Sequence, residues 1–148
     1  MSRRRTRPAF AIALAAMALF PAAAAASPPD LDCQLGFDAL KFYAQSLPGA
    51  EKAHEGGFDI VTLAEPEKWK AYIYITTPAH AAHPAIVQRT RRKQVTEVWT
   101  ADSKGCGFGK SDQFTILMDD MKSGDTELTN ASRVEVEKRK QSKPLLAP

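Results

Sequence analysis

The chain contains few of the residues that would define a chemistry. It has two cysteines, three histidines and an aromatic content of 8% in 148 residues. Beyond residue 26 it has no run of about 18 or more apolar residues, which excludes a polytopic membrane protein. The catalytic motifs G-x-S-x-G and H-E-x-x-H are absent, and no Ser-His-Asp set is evident. The sequence therefore specifies no activity and favours a protein that is not an enzyme.

Acidic residues are missing from the first 26 residues, which contain four arginines. The rest of the chain carries sixteen Lys and Arg against seventeen Asp and Glu, so the overall net charge of +3 comes from the N-terminal segment. The remainder lacks the basic excess by which proteins bind nucleic acid. A nucleic-acid partner is therefore not expected.

The N-terminal segment has the three parts of an export signal. An arginine-rich stretch at residues 2–8 precedes an apolar stretch at residues 9–20, and Pro21 and small alanines follow. Twelve apolar residues are too few to span a bilayer comfortably, so an uncleaved anchor is the weaker alternative. We predict that residues 1–26 are a cleaved signal peptide. The protein is then periplasmic or secreted, with no stable membrane insertion after cleavage.

After cleavage two cysteines remain, Cys33 and Cys106. In an oxidising compartment an even count predicts a disulfide, which would stabilise the fold by about 4 kcal/mol for a loop of this length. The alternative is a nucleophilic Cys106, close to the start of a predicted helix. The neighbouring Gly105, Gly107 and Gly109 are expected to allow a tight turn with positive φ around the cystine.

Apolar periodicity predicts an α+β fold with an N-terminal helix, about four antiparallel strands and a C-terminal helix. The strands are expected at residues 58–63, 69–76, 85–89 and 95–100. The helices have apolar stripes at Cys33, Phe37, Leu40, Ala44 and Leu47, and at Phe114, Leu117, Met118 and Met121. Since each helix has one stripe, both are expected on the same face of the sheet, as a two-layer domain.

Domain boundaries follow from the same pattern. Residues 27–122 are predicted to form a single domain, with Gly124 ending the second helix. Residues 123–148 are mostly polar and are predicted to be a disordered tail, with a weak strand at Val134 and Val136.

Two histidines lie three residues apart in a loop bracketed by prolines. His80 and His83 are candidate metal ligands, because imidazole binds zinc and copper, although a stable site needs three or four ligands. The pair supports the alternative function, a metal-binding or small hydrolytic protein. A surface or hydrogen-bonding role in the loop is the simpler interpretation. No other cofactor is implied.

A candidate binding surface combines the one basic cluster with two tyrosines. Tyr72 and Tyr74 alternate with Ile73 and Ile75, so they are expected on an open sheet face, as contact residues or merely as good strand formers. The basic residues are expected in a hairpin turn, where they would discourage strand addition or contact an anion or acidic partner. They are Arg89, Arg91, Arg92 and Lys93.

Two loops carry a resemblance. Residues 77–85 contain the pattern P-A-H-x-x-H-P, and residues 105–109 read G-C-G-F-G before a short helix. Over roughly residues 69–121 the chain resembles a group of small exported proteobacterial proteins of unknown function. The resemblance implies no activity. The favoured hypothesis is a non-enzymatic periplasmic domain that binds an envelope protein or a small anion.

Overall fold

The computed structural model describes residues 27–143, so the predicted signal peptide lies outside the described residues. A 3-10 turn at Cys33–Leu35 precedes helix α1 (Phe37–Gln45), and helix α2 (Ser111–Ser142) follows the strands. The strands are β1 (Glu51–Glu55), β2 (Phe58–Glu65), β3 (Trp69–Thr76), β4 (Ala85–Lys93) and β5 (Trp99–Gly107). Within residues 27–143, no helix combines the length and the apolar character needed to cross a membrane.

The five strands form one antiparallel sheet in the order in which they occur in the chain. The prediction of an α+β fold with an antiparallel sheet is confirmed, although the sheet has five strands and not four. The additional strand, β1, is exposed at every position and carries charges at both ends. Its polar composition makes it look like a connection, but polar side chains suit an edge strand that must not recruit another chain.

Strands β4 and β5 are longer than predicted. The basic residues lie inside β4, which pairs with β3 and β5 on its two sides, and the turn lies at residues 94–98. Residues 101–107 lie beyond the end of the predicted fourth strand, yet they continue β5. The prediction fails here because the paired backbone on both sides outweighs the low strand propensity of charged and glycine residues.

The two helices lie on opposite faces of the sheet, so the prediction of one shared face is wrong. Leu40 and Ala44 of α1 pack in one buried cluster, and Leu117 and Met121 of α2 pack in a second. The first cluster contains the sheet residues Val61, Ile73, Ile75, Ile86 and Cys106, and the second contains Ala85 and Val87, with Phe58 and Tyr74 packed against it. The side chains of adjacent strand residues point to opposite faces, so each helix packs against the side chains of one face.

The glycines beside Cys106 serve helix packing and not a turn. Gly105 and Gly107 lie in β5 on the α2 face and do not have positive φ, contrary to expectation. A Cβ at Gly107 would lie 2.5 Å from the Phe114 ring, and one at Gly105 would lie 2.7 Å from the sulfur of Met118. Both glycines therefore let α2 approach the strand, while Cys106 between them points to the α1 face.

Helix α2 continues well beyond Gly124, so a disordered tail from residue 123 and a strand at Val134 and Val136 are both wrong up to Ser142. Gly124 is not a terminator. It leaves room for the Arg89 guanidinium, which a Cβ at that position would approach to 2.7 Å.

Polar side chains anchor this second half of α2. The hydroxyl of Thr129 accepts a hydrogen bond from the Ala101 N–H at 3.0 Å, and that of Ser132 accepts one from the Trp99 N–H at 2.8 Å. In the part of the chain that the structure describes, β5 pairs only with β4, so the helix supplies acceptors for the other edge of β5.

Candidate functional site

The disulfide ties the segment before α1 to β5 on the α1 face of the sheet. Cys33 and Cys106 are bonded, with their Cα atoms 5.4 Å apart. Cys106 is buried and Cys33 is exposed. Because both thiols are consumed, neither is a nucleophile in this form, and the bond holds the start of the α1 segment against the sheet.

The two histidines that were candidate metal ligands are engaged separately. The His80 ring packs on Phe58 with centroids 4.6 Å apart, and its Nδ1 accepts a hydrogen bond from the Ala82 N–H. The His83 ring meets the edge of Phe37 on the α1 side, and its Nδ1–H donates to the Thr76 carbonyl at 3.0 Å.

Each imidazole therefore fixes the connection between β3 and β4 to a different aromatic ring. Among residues 27–143 there is no group of three or more His, Cys, Asp or Glu arranged to hold a metal ion. The geometry gives no support to a shared metal site, and a metal-based function is not proposed.

The segments with the P-A-H-x-x-H-P and G-C-G-F-G patterns touch each other. The Phe108 N–H donates to the Pro84 carbonyl at 2.9 Å, and a Cβ at Gly109 would lie 2.8 Å from the His83 carbonyl oxygen. Phe37 contacts both His83 and Phe108. These sequence patterns therefore have a structural explanation, which is the close packing of two connections at one end of the sheet.

The structure divides the basic cluster between the two faces of the sheet. Arg89, Arg91 and Lys93 are on the α2 face with Tyr72 and Tyr74, as the strand register requires. Arg92 is exposed on the α1 face. The six residues expected to form one binding surface therefore do not all belong to it.

Arg89 connects the sheet to α2. Its Nε donates to the Asp125 carboxylate at 2.6 Å, and a terminal nitrogen donates to the Met121 carbonyl at 2.8 Å. The Ser103 hydroxyl also donates to Asp125, which is only 6% exposed. We refer to these four residues as the polar clasp. Its charges are paired internally, so Arg89 is not available to a ligand.

Lys93 is also occupied. Its ammonium pairs with Glu67 and Glu97, and the hydrogen bonds to these carboxylates raise the pKa of Lys93. The bond from Lys93 in turn lowers the pKa of Glu97. These ion pairs close the turn between β4 and β5. Among residues 27–143, Arg91 is then the cation of the cluster on the α2 face that has no carboxylate partner.

Tyr72 and Tyr74 remain on the part of the sheet that α2 does not cover completely. Their rings are stacked with centroids 6.3 Å apart, and Tyr74 meets the edge of Phe58. Burial raises the pKa of Tyr74, an effect that the nearby Arg89 partly opposes. Tyr72 is the outer ring, and the Lys70 ammonium lies 5.0 Å from its centre.

A cleft of about 300 Å³ opens beside Lys70. We call it the cationic cleft. It lies between β3, β4 and β5 on one side and the second half of α2 on the other. Its lining residues are Lys70, Arg91, Trp99, Ser132, Glu135 and Arg139.

The charges of the cationic cleft are poorly compensated. Lys70 and Arg91 are directly opposite each other on β3 and β4, a like-charge pairing that destabilises a sheet. The Nε of Arg91 is buried and has no hydrogen-bond partner among the described residues. Glu135 is the one acidic group lining the cleft, and it pairs with Arg139 at 3.7 Å. Three cations therefore face one carboxylate.

Trp99 adds an aromatic wall, with the Arg91 guanidinium carbon 5.9 Å from its ring centre. Arg91 was predicted from the sequence to lie on a binding surface, whereas Lys70, Trp99 and Arg139 were not predicted. Lys70 looks like an ordinary solvent-facing strand residue, and Arg139 lies in the segment interpreted as a tail. Only the position of α2 brings them together.

No protein-family model, no curated protein and no solved structure matches the chain. The function must therefore be inferred from the chemistry of the molecule itself.

Proposed function

We propose that this protein is an exported, non-enzymatic binding domain that captures an anionic group of an envelope component in the cationic cleft. The observation that carries the proposal is the pairing of Lys70 with Arg91 and the unpartnered Nε of Arg91. Unsatisfied buried donors and facing like charges cost stability, and such arrangements persist where a ligand completes them.

The ligand chemistry follows from the donors. Arg91 offers a planar fork that matches carboxylate and phosphate oxygens, while Lys70 and Arg139 add positive charge from two other elements. Trp99 provides a flat apolar surface beside them. An oxyanion attached to a partly apolar molecule satisfies both features.

The proposed compartment is the periplasm. The disulfide between Cys33 and Cys106 is consistent with an oxidising, exported location. The form and short length of the apolar stretch at residues 9–20 support cleavage of the signal, which would release the domain from the membrane.

Calorimetric titration of the processed protein tests this function. Inorganic phosphate, citrate and vesicles of phosphatidylglycerol are the probes, so that small anions and a lipid surface are compared directly. We expect saturable binding of at least one probe that weakens as salt is added. Binding of none of them, or binding that is insensitive to salt, would contradict the proposal.

Charge-removing variants locate the site. Arg91→Gln and Lys70→Gln are expected to weaken binding by about tenfold each, the loss expected for one charge-assisted hydrogen bond. Lys52→Gln is the matched control, because Lys52 is an exposed strand lysine on the α1 face. An equal loss in Lys52→Gln would mean that binding reflects overall charge and not the cleft.

A further inference from the structure

A larger cavity, of about 480 Å³, lies on the α1 face and is separated from the cationic cleft by the sheet. The extended segment at residues 27–31 forms one wall, and β4, β5 and the disulfide form the other. The volume is within the range of sites for small molecules. We call it the N-terminal cavity.

Gln88 lines this cavity and has an unused hydrogen-bonding group. The residue is 8% exposed, and its Nε2 donates to the Pro29 carbonyl at 2.7 Å and to the Thr90 hydroxyl at 3.1 Å. Its Oε1 is buried with no donor among the described residues. Among residues 27–143 the Thr90 hydroxyl accepts from Gln88 and donates to no other group, so its O–H can donate to a ligand. A buried acceptor without a donor is rare in native proteins and points to a missing partner.

Charged side chains of both signs surround Gln88 and Thr90. Lys104 and Asp102 are their direct neighbours on β5, and Arg92 and Asp30 complete the lining. Among residues 27–143, none of these four charged groups forms an ion pair. The cavity therefore presents two cationic and two anionic side chains to one small volume.

We propose that the N-terminal cavity binds a small molecule that carries both a protonated amino group and a carboxylate, such as a free amino acid or a short peptide. The amino group donates to Gln88 Oε1 and faces the Asp102 carboxylate. The carboxylate faces Lys104 and Arg92 and accepts from the Thr90 hydroxyl. Pro28, Pro29 and Leu31 offer apolar surface to the remainder of the ligand.

Ligands with a single charge fit the cavity less well. A purely anionic ligand would bring its charge close to Asp102 and Asp30, and a purely cationic one would meet Lys104 and Arg92. A ligand with both charges can place its amino group near the two carboxylates and its carboxylate near the two cations. This site does not depend on the cationic cleft, which lies on the other face of the sheet.

Calorimetric titration of the processed protein tests the proposal. The probes are the common amino acids, taken singly, and L-alanyl-L-alanine, so that free amino acids and peptides are distinguished. We expect saturable binding of at least one probe. We expect about tenfold weaker binding when the same probe is N-acetylated or converted to its amide, because each change removes one charge. Lack of binding by every probe, or equal binding of the blocked forms, would overturn the proposal.

Variants assign the binding to the cavity. Gln88→Leu removes the unpartnered oxygen, but it also disturbs a buried position, so Lys104→Met is the decisive second variant at an exposed residue. Both should weaken binding by about tenfold. Lys52→Met is the control, since Lys52 is exposed on the same face and outside the cavity lining. Unchanged binding in Lys104→Met, or an equal loss in Lys52→Met, would overturn the assignment.

Discussion

The two faces of the sheet are covered in different ways. On one face a nine-residue helix and an extended segment are tied to β5 by a disulfide. On the other face a 32-residue helix is held without any covalent bond. A short element has too few contacts to order itself, whereas a long helix spreads its attachment over many turns. The covalent bond is therefore placed where packing is weakest.

A second contrast lies within α2 itself. Its first half packs apolar side chains, Leu117 and Met121, against the sheet. From Asp125 onward it faces β5 with Asp125, Thr129 and Ser132, which bond to the strand. The comparison shows that a helix can be fixed by a polar stripe when that stripe meets a free strand edge. The same half of the helix also supplies the wall of the cationic cleft.

Breaking the disulfide gives the largest expected effect. Replacing both Cys33 and Cys106 by Ala should reduce the free energy of unfolding by about 4 kcal/mol, because the unfolded chain regains the entropy of a long loop. Urea unfolding of the variant and of the oxidised protein measures the difference. Hydrogen exchange should show faster exchange in α1 than in α2. Equal midpoints for the two proteins would contradict the role assigned to the bond.

Breaking the polar clasp tests how α2 is held to the sheet. Asp125→Ala should cost about 3 kcal/mol, because it leaves the Arg89 guanidinium largely buried without its carboxylate. Asp119→Ala, at an exposed position of the same helix, is the control and should change stability by less than about 0.5 kcal/mol. Chemical unfolding measures both. Similar losses in the two variants would show that the clasp has no special role.

The apolar contacts of α2 could be predicted from the sequence, and its polar contacts could not. The stripe through Phe114 and Met121 has helical spacing and predicted the first turns of α2 correctly. Asp125, Thr129 and Ser132 have the same spacing, but in sequence they look like a solvated surface. Their role depends on the exposed edge of β5, which is a property of the assembled sheet.

The candidate site residues were likewise predicted from the sequence only in part. The cysteine count predicted the disulfide between Cys33 and Cys106, because only one pairing was available. The sequence also placed Arg91 in a basic cluster, but it gave no sign of Lys70 and Arg139 beside it. These residues are distant in the chain and are brought together by strand register and by the length of α2. Local patterns contain no information on such contacts.

Removing the hydroxyl acceptors should have a moderate effect. Thr129→Val and Ser132→Ala should each cost about 1 kcal/mol, since each leaves a backbone N–H of β5 without its acceptor. Thr126→Val is the matched control, because the Thr126 hydroxyl bonds only within its own helix. Hydrogen exchange at Ala101 and Trp99 should become faster in the respective variants. Unchanged exchange there would mean that water replaces the hydroxyl without cost.

The smallest expected effect concerns Tyr74, which reports on the charge balance of the polar clasp. Burial raises the pKa of the Tyr74 phenol, so the folded state favours the neutral form of this group. The stability that the neutral Tyr74 phenol contributes is complete below the ordinary tyrosine pKa of about 10. It is lost as the pH rises through the pKa that this phenol has in the folded state. Absorbance titration should therefore show a late tyrosinate step that disappears in Tyr74→Phe.

Nearby Arg89 lowers the pKa of Tyr74, whereas Asp125 raises it as burial does, so Asp125→Asn should move this step to lower pH. A step that stays in place would show that Asp125 does not balance the charge of Arg89 at Tyr74.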